Sequence, residues 1–97
     1  MAIFIALANW TPDGIKAVQD SASRFDLVRK LLEDMGGKVQ SIHMTMGEYD
    51  LVLIYDAPDD ATAARFTLQI AKRGYVRTKT LKAFPESAFR ELVKSVS

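Results

Sequence analysis

The distribution of apolar and polar residues along the chain predicts four β-strands. Residues 2–8 and 49–55 are apolar at odd and even positions alike, which is typical of strands buried on both faces. Residues 38–46 alternate loosely, and residues 75–84 carry polar side chains at every second position. We therefore expect the first and third strands inside a sheet and the other two at its edges.

Helical signals separate the first predicted strand from the second. Thr11 is a suitable N-cap and Pro12 fits a first helical position, so a short helical turn is expected there. A longer helix is expected to begin at Ser21 or Ser23 and to end at the glycine pair 36–37. The apolar stripe of this helix contains Leu27, Val28, Leu31, Leu32 and Met35.

Two more helices are predicted in the second half of the chain. Asp59 or Asp60 is expected to cap the first of them, and Gly74 ends it. Its apolar stripe contains Ala63, Phe66 and Ile70. A terminal helix opens at Pro85. The apolar residues of that helix are Phe89, Leu92 and Val93.

The predicted order of elements is β-α-β-β-α-β with a further helix at the end. With right-handed crossovers this order gives an α+β fold of the ferredoxin-like plait type. Such a plait is a four-stranded antiparallel sheet that carries its helices on one face. A chain of 97 residues is long enough for one such domain, which we place at residues 1–97.

The two-sided apolar character of the inner strands also predicts an assembly. The helices of a plait cover one face of the sheet, and soluble monomers rarely leave a large apolar patch exposed on the other. A short chain also gains from additional burial. We therefore expect a second copy to cover the free face in a two-fold homodimer. The alternative is that the terminal helix folds over this face within one chain.

Composition restricts the classes of partner and chemistry. A net charge of +1 and a pI near 8.0 do not favour nucleic acid or an anionic membrane as a partner. A chain without cysteine has no disulfide and no thiolate nucleophile, which fits the cytoplasm. The opening MAIFIALANW lacks the basic start and cleavage site of a signal peptide, and no apolar run is long enough to span a bilayer. We expect neither a metal nor a cofactor.

A glycine-bearing turn joins the second and third predicted strands. Gly47 is expected to take a positive φ in a tight hairpin. Tyr49 and Asp50 follow it and point to opposite sides of the third strand. Asp50 is expected to hold the turn backbone or to pair with Arg77 or Lys79.

His43, the only histidine, is the candidate catalytic residue. Its imidazole is the side chain best suited to titrate near neutral pH and to accept a proton from a substrate. In the alternative interpretation it is a half-buried residue of an edge strand, bonded to Ser41 or to a backbone carbonyl. A single histidine without cysteine is a poor basis for a metal site.

Four more residues are candidates for binding a ligand. Arg77 has a planar fork of donors that suits a carboxylate or phosphate, although a charged strand is also what a protected sheet edge requires. Tyr55 is expected to line the same cavity as His43 and Arg77, with Tyr49 close to them. Trp10 either closes a pocket or packs the first helix against the sheet.

Several short motifs occur in an order that resembles the GYD-domain family of small bacterial and archaeal proteins: LANWTPDGI, GGKV, MTMGEYDLVLI, APDD and GYVRTKTLKAF. The family name matches Gly47, Tyr49 and Asp50, and the resemblance extends from about Ile3 to Phe89. It implies a ferredoxin-like domain that forms a dimeric α/β barrel. It implies no particular chemistry.

Three function hypotheses follow from this sequence. The first is a homodimer that binds an organic acid-like small molecule, or serves as an accessory domain. The second is a cofactor-independent enzyme of the isomerase or monooxygenase type, with His43 as proton acceptor, which rests on analogy of fold. The third is a structural dimer whose outer helices bind another protein. RNA binding is disfavoured, because the stretch RGYV lies on the fourth strand and the net charge is small.

Overall fold

A computed structural model describes residues 1–96, which contain four strands and four α-helices. In chain order the elements are β1 (Ala2–Trp10), α1 (Pro12–Lys16), α2 (Ser21–Asp34), β2 (Lys38–Met44), β3 (Leu51–Ala57), α3 (Asp60–Ala71), β4 (Val76–Ala83) and α4 (Glu86–Lys94). A short 3₁₀ turn, Val18–Asp20, connects α1 to α2. The predicted mixed fold with a four-stranded antiparallel sheet is confirmed.

The strands lie side by side in the order β2-β3-β1-β4, so β1 and β3 are the inner strands. Residues directly opposite each other on neighbouring antiparallel strands project to the same face. The register places one row across the sheet, made of His43, Val52, Leu7 and Lys79. The next row toward the other end of β1 consists of Ser41, Ile54, Ile5 and Leu81.

The core lies between one face of the sheet and helices α2 and α3. Phe4 stacks on Tyr55 with 5.5 Å between ring centroids, and Tyr55 meets Phe66 edge to face at 4.9 Å. Leu32 from α2 is fully buried against this cluster. Each of these side chains contributes about 1.5–3 kcal/mol by leaving water, so this cluster dominates the energetics of the covered face.

The opposite face of the sheet is not covered by any helix of the described residues. Its centre is apolar, and these residues are partly or largely exposed: Ile3, Ile5, Leu7, Val52, Ile54 and Leu81. The terminal helix α4 takes part in none of the extensive contacts between elements. Phe89 on α4 is 59% exposed. The alternative in which this helix folds over the free face is therefore wrong.

The connection between β2 and β3 is longer than the tight turn predicted from Gly47. β2 ends at Met44 and β3 begins at Leu51, which leaves residues 45–50 as a loop. Positive φ angles occur at Gly36 (89°) and Gly74 (82°), each just after a helix, and not at Gly47. The longer loop spreads the reversal of direction over several residues, so Gly47 does not need the left-handed region.

The predicted helix caps are confirmed at two positions. The Thr11 hydroxyl accepts a hydrogen bond from the Gly14 amide at 3.0 Å. Of the two candidate aspartates before α3, Asp59 is the cap, because its Oδ1 accepts from the Thr62 amide at 2.8 Å. Hydrogen bonds from the Thr62 side chain and backbone lower the pKa of Asp59. Both caps fix where a helix starts relative to the strand before it.

Two glycine substitutions distinguish close packing from free space. A Cβ at Gly14 would lie 1.9 Å from the Tyr75 carbonyl oxygen, whereas a Cβ at Gly47 would meet nothing within 4 Å. We expect Gly14→Ala to lower the free energy of unfolding by roughly 1–3 kcal/mol, because the backbone must move apart. Gly47→Ala, the matched control, should change it by less than about 0.5 kcal/mol. Urea unfolding of both variants measures the difference, and equal stabilities would contradict the close contact.

Candidate functional site

His43 lies on β2, on the face of the sheet that the helices leave uncovered. It stands opposite Val52, and its side chain is exposed. Within residues 1–96 the imidazole has no hydrogen bond and no ion pair, so the expected bond to Ser41 or to a carbonyl is not formed. Nothing in the described part of the chain orients this ring as a proton acceptor would require.

Arg77 lies on the same face at the opposite edge of the sheet. It is on β4, opposite Asn9 of β1, and its side chain is exposed. Three strand intervals separate β4 from β2, which puts the two edges roughly 14 Å apart at about 4.8 Å per interval. His43 and Arg77 therefore share a face and stand at its two opposite edges within a single chain.

Tyr49 and Asp50 belong to the loop between β2 and β3, and Asp50 has a structural role there. Its Oδ2 accepts a hydrogen bond from the Trp10 amide at 3.0 Å, and its own amide donates to the Ala8 carbonyl at 2.9 Å. The Tyr49 ring lies 5.8 Å from the Lys79 ammonium, a weak cation–π contact. Asp50 thus ties the loop to the end of β1, in place of the pairing with Arg77 or Lys79.

Tyr55 and Trp10 lie on the helix-covered side of the sheet. Tyr55 is completely buried between Phe4 and Phe66, and this burial raises the pKa of its phenol. Trp10 ends β1 beside α1, where its ring lies close to Gly14. Tyr55 therefore does not line a surface with His43 and Arg77, which are on the other face.

The structure separates the five sequence-predicted site residues. His43 and Arg77 lie on the free face, Tyr49 in the loop 45–50, Tyr55 in the core and Trp10 at the end of β1 beside α1. Among residues 1–96 no three His, Cys, Asp or Glu side chains meet as a metal site requires. No helix in that part of the chain combines the length and the apolar character needed to cross a bilayer.

Sequence reasoning missed a cleft on the helix-covered side of the sheet. It has a volume of about 90 Å³ and is bordered by α2, α3 and the start of β4. Arg24, Arg73 and Tyr75 line it, and none of the five predicted residues does. The sequence feature that could have indicated this cleft is the pair Ala6 and Ala8. These small residues lie on the inner strand β1 and on the same face as Phe4, so they leave space beneath the helices.

Comparisons with known proteins bear on this arrangement. A model of the GYD domain matches residues 4–93. The chain belongs to the GYD-domain family. The resemblance found in the sequence motifs is thereby confirmed. The match extends from within β1 to most of α4 of this GYD-domain protein.

A relative and a solved structure add to this assignment. The chain is 40% identical, over 88% of its own length and 90% of the relative, to the glutamine synthetase and cystathionine beta-lyase binding protein of Thermus thermophilus. The crystal structure of TTHA0845 from Thermus thermophilus matches with a TM-score of 0.54 and 21% identity. That match covers 88% of this chain and 95% of TTHA0845, and it supports the fold alone.

Substitution of Asp50 tests the structural role of the loop. Asp50→Ala leaves the partly buried Trp10 amide without its acceptor, so we expect a loss of roughly 1–3 kcal/mol in the free energy of unfolding. Asp50→Asn keeps a side-chain oxygen that can accept this hydrogen bond, so its free energy of unfolding should fall by less. Trp10 is the only tryptophan, so its fluorescence during urea unfolding reports this end of the sheet directly. Similar losses in the two variants would argue against the hydrogen bond to Trp10.

Proposed function

We propose that this GYD-domain protein is a homodimeric accessory protein that binds enzymes. The observation that carries the proposal is the 40% identical relative, whose name states that it binds glutamine synthetase and cystathionine beta-lyase. The placement of the candidate residues supports a binding role, because His43 and Arg77 stand at opposite edges of the sheet. A cytoplasmic location is part of the proposal and is supported by a sequence without cysteine.

The uncovered face of the sheet supports the homodimer. Its centre is apolar, and polar side chains surround that centre, including His43, Lys79 and Arg77. An apolar centre with a polar rim is the usual composition of a protein–protein interface. A second copy is the simplest occupant, since two identical faces related by a two-fold axis bury each other's apolar rows.

The strand order supports the ferredoxin-like plait and, with it, the dimeric α/β barrel. Two four-stranded sheets that face each other would pack about 10 Å apart, with the helices of both copies outside. In this arrangement the outer helices and α4 stay accessible. Enzyme partners then meet a surface that the dimer leaves free.

Helix α4 is the surface that we assign to the enzyme partner. Phe89, Leu92 and Val93 are 59%, 48% and 52% exposed, and they fall on one side of the helix. The ion pairs Arg90–Glu86 and Lys94–Glu91 lie along the same short helix and stabilise it in the absence of packing. An amphipathic helix that presents apolar anchors is a common means of binding another protein.

A charge at the centre of the free face tests the homodimer. Ile5→Glu places a carboxylate in the row formed by Ile54, Ile5 and Leu81. We expect the dimer dissociation constant to rise at least about 100-fold, because an unpaired buried charge costs several kcal/mol. Leu68→Glu is the matched control, since Leu68 is 68% exposed on α3. Light scattering and analytical ultracentrifugation measure the change. A monomeric wild-type chain at micromolar concentration would refute the dimer.

Enzyme binding is tested with glutamine synthetase and cystathionine beta-lyase from the source organism of this chain. We expect the wild-type protein to bind at least one of them. The double variant Phe89→Ser/Leu92→Ser should bind at least about tenfold more weakly, because it removes two apolar anchors. Leu68→Ser is the control and should bind normally. Biolayer interferometry measures the affinities.

Two results would contradict this assignment. If the wild-type protein binds neither enzyme, the accessory role is wrong. If the α4 variant turns the dimer into monomers, a second copy occupies α4, and the assignment of this helix to an enzyme partner is wrong.

A further inference from the structure

The cleft between α2 and α3 exists because small residues follow a large one on β1. Phe4, with Tyr55 and Phe66, fills the space between sheet and helices at one end of the core. Farther along the same face of the strand, Ala6 and Ala8 reach less far toward the helices. The remaining volume of about 90 Å³ is lined mainly by apolar side chains, among them Phe25, Val28, Leu31 and Ile70.

Two arginines border this apolar cleft. Arg24 lies over the Tyr75 ring at 4.6 Å from the centroid, and it donates hydrogen bonds to the Ala17 carbonyl at 3.0 Å and to the Ser21 hydroxyl at 3.3 Å. These contacts hold its guanidinium in place. Arg73, which follows α3, is exposed and also lines the cleft.

The charge at the cleft is not neutralised by the surrounding protein. No acidic side chain of the described residues lines the cleft. Within residues 1–96 neither Arg24 nor Arg73 forms an ion pair, while five other cations on the surface do. A guanidinium offers a planar set of donors that matches a carboxylate. The cleft therefore combines an apolar interior with an unpaired positive border.

We propose that this cleft binds a short-chain alkyl carboxylate, with the tail above Ala6 and Ala8 and the carboxylate at Arg24 and Arg73. The volume of about 90 Å³ favours a short tail. Sites for drug-sized ligands hold about 300–1,000 Å³, so this cleft suits a much smaller molecule. A carboxylic acid of about four carbons fits this limit.

This binding site is independent of the dimer and of enzyme binding. The cleft lies on the helix-covered side of the sheet, whereas the proposed dimer uses the other face. None of the described residues of α4 lines it. A protein that fails to dimerise or to bind an enzyme can therefore still bind the carboxylate, and failure here leaves the accessory role untouched.

The experiment is an NMR titration of the full chain with acetate, butanoate, hexanoate, octanoate and butanamide. We expect affinity to rise roughly fourfold per methylene from acetate to butanoate, as burial of each methylene predicts, and then to level off when the cleft is full. Butanamide, which lacks the charge, should bind about tenfold more weakly than butanoate. The shifted amides should be those of residues around the cleft.

Three variants locate the two parts of the site. Arg73→Gln should weaken butanoate binding about tenfold, and Lys72→Gln, which removes a neighbouring cation that does not line the cleft, should have no effect. Ala8→Leu fills the interior and should abolish the gain in affinity from acetate to butanoate.

Several results would overturn the proposal. Equal binding of butanoate and butanamide would show that no charged group is recognised. Unchanged butanoate binding by both Arg73→Gln and Ala8→Leu would place the molecule elsewhere. A gain in affinity that continues through octanoate would require a larger site than this cleft.

Discussion

The architecture of this protein depends on one constraint, which is that helices pack on only one face of a sheet whose inner strands are apolar on both. On the covered side, Phe4, Tyr55, Phe66 and Leu32 exclude water and supply the main packing energy. On the other side, the rows through Ile5 and Leu7 remain without a cover from the described residues. The division of the sheet into a core face and an uncovered face follows from this imbalance.

The same constraint sorts the polar residues that attract attention in the sequence. His43 lies on β2 at one edge of the free face, and Lys79 and Arg77 lie on β4 at the opposite edge. Asp50 is engaged with the backbone, as a residue that fixes a loop would be. The centre of the free face is left with apolar side chains, including Ile5, Leu7 and Val52.

Local signals predicted the elements because each depends on neighbours in sequence. Thr11 and Asp59 cap helices through hydrogen bonds to amides three residues ahead, and Gly36 ends α2 with a positive φ. The alternation of strand residues also decides the position of Tyr55, since it projects away from Val52, the partner of His43. The grouping of Tyr55 with His43 neglects this alternation.

The remaining features depend on contacts between distant parts of the chain. The loop at residues 45–50 is held by a bond from the Trp10 amide to Asp50, 40 residues away, and no local pattern reports that bond. The cleft needs Ala6 and Ala8 to face α2 and α3 at one place, so it becomes visible only when the helices are docked. Leu27 belongs to the apolar stripe of α2 and is still 51% exposed, because it lies at the edge of that stripe, about 100° around the helix from Val28.

The position of β1 in the sheet has a consequence for how the protein is made. One neighbour of this opening strand is β3, at residues 51–57, and the other is β4, at residues 76–83. During synthesis one side of β1 therefore keeps its amides and carbonyls unsatisfied by the protein until most of the chain has left the ribosome. An apolar strand with a bare edge readily joins other nascent chains. The lysine and arginine side chains of β4 protect the edge of the completed sheet, and they are synthesised only after β1 and β3.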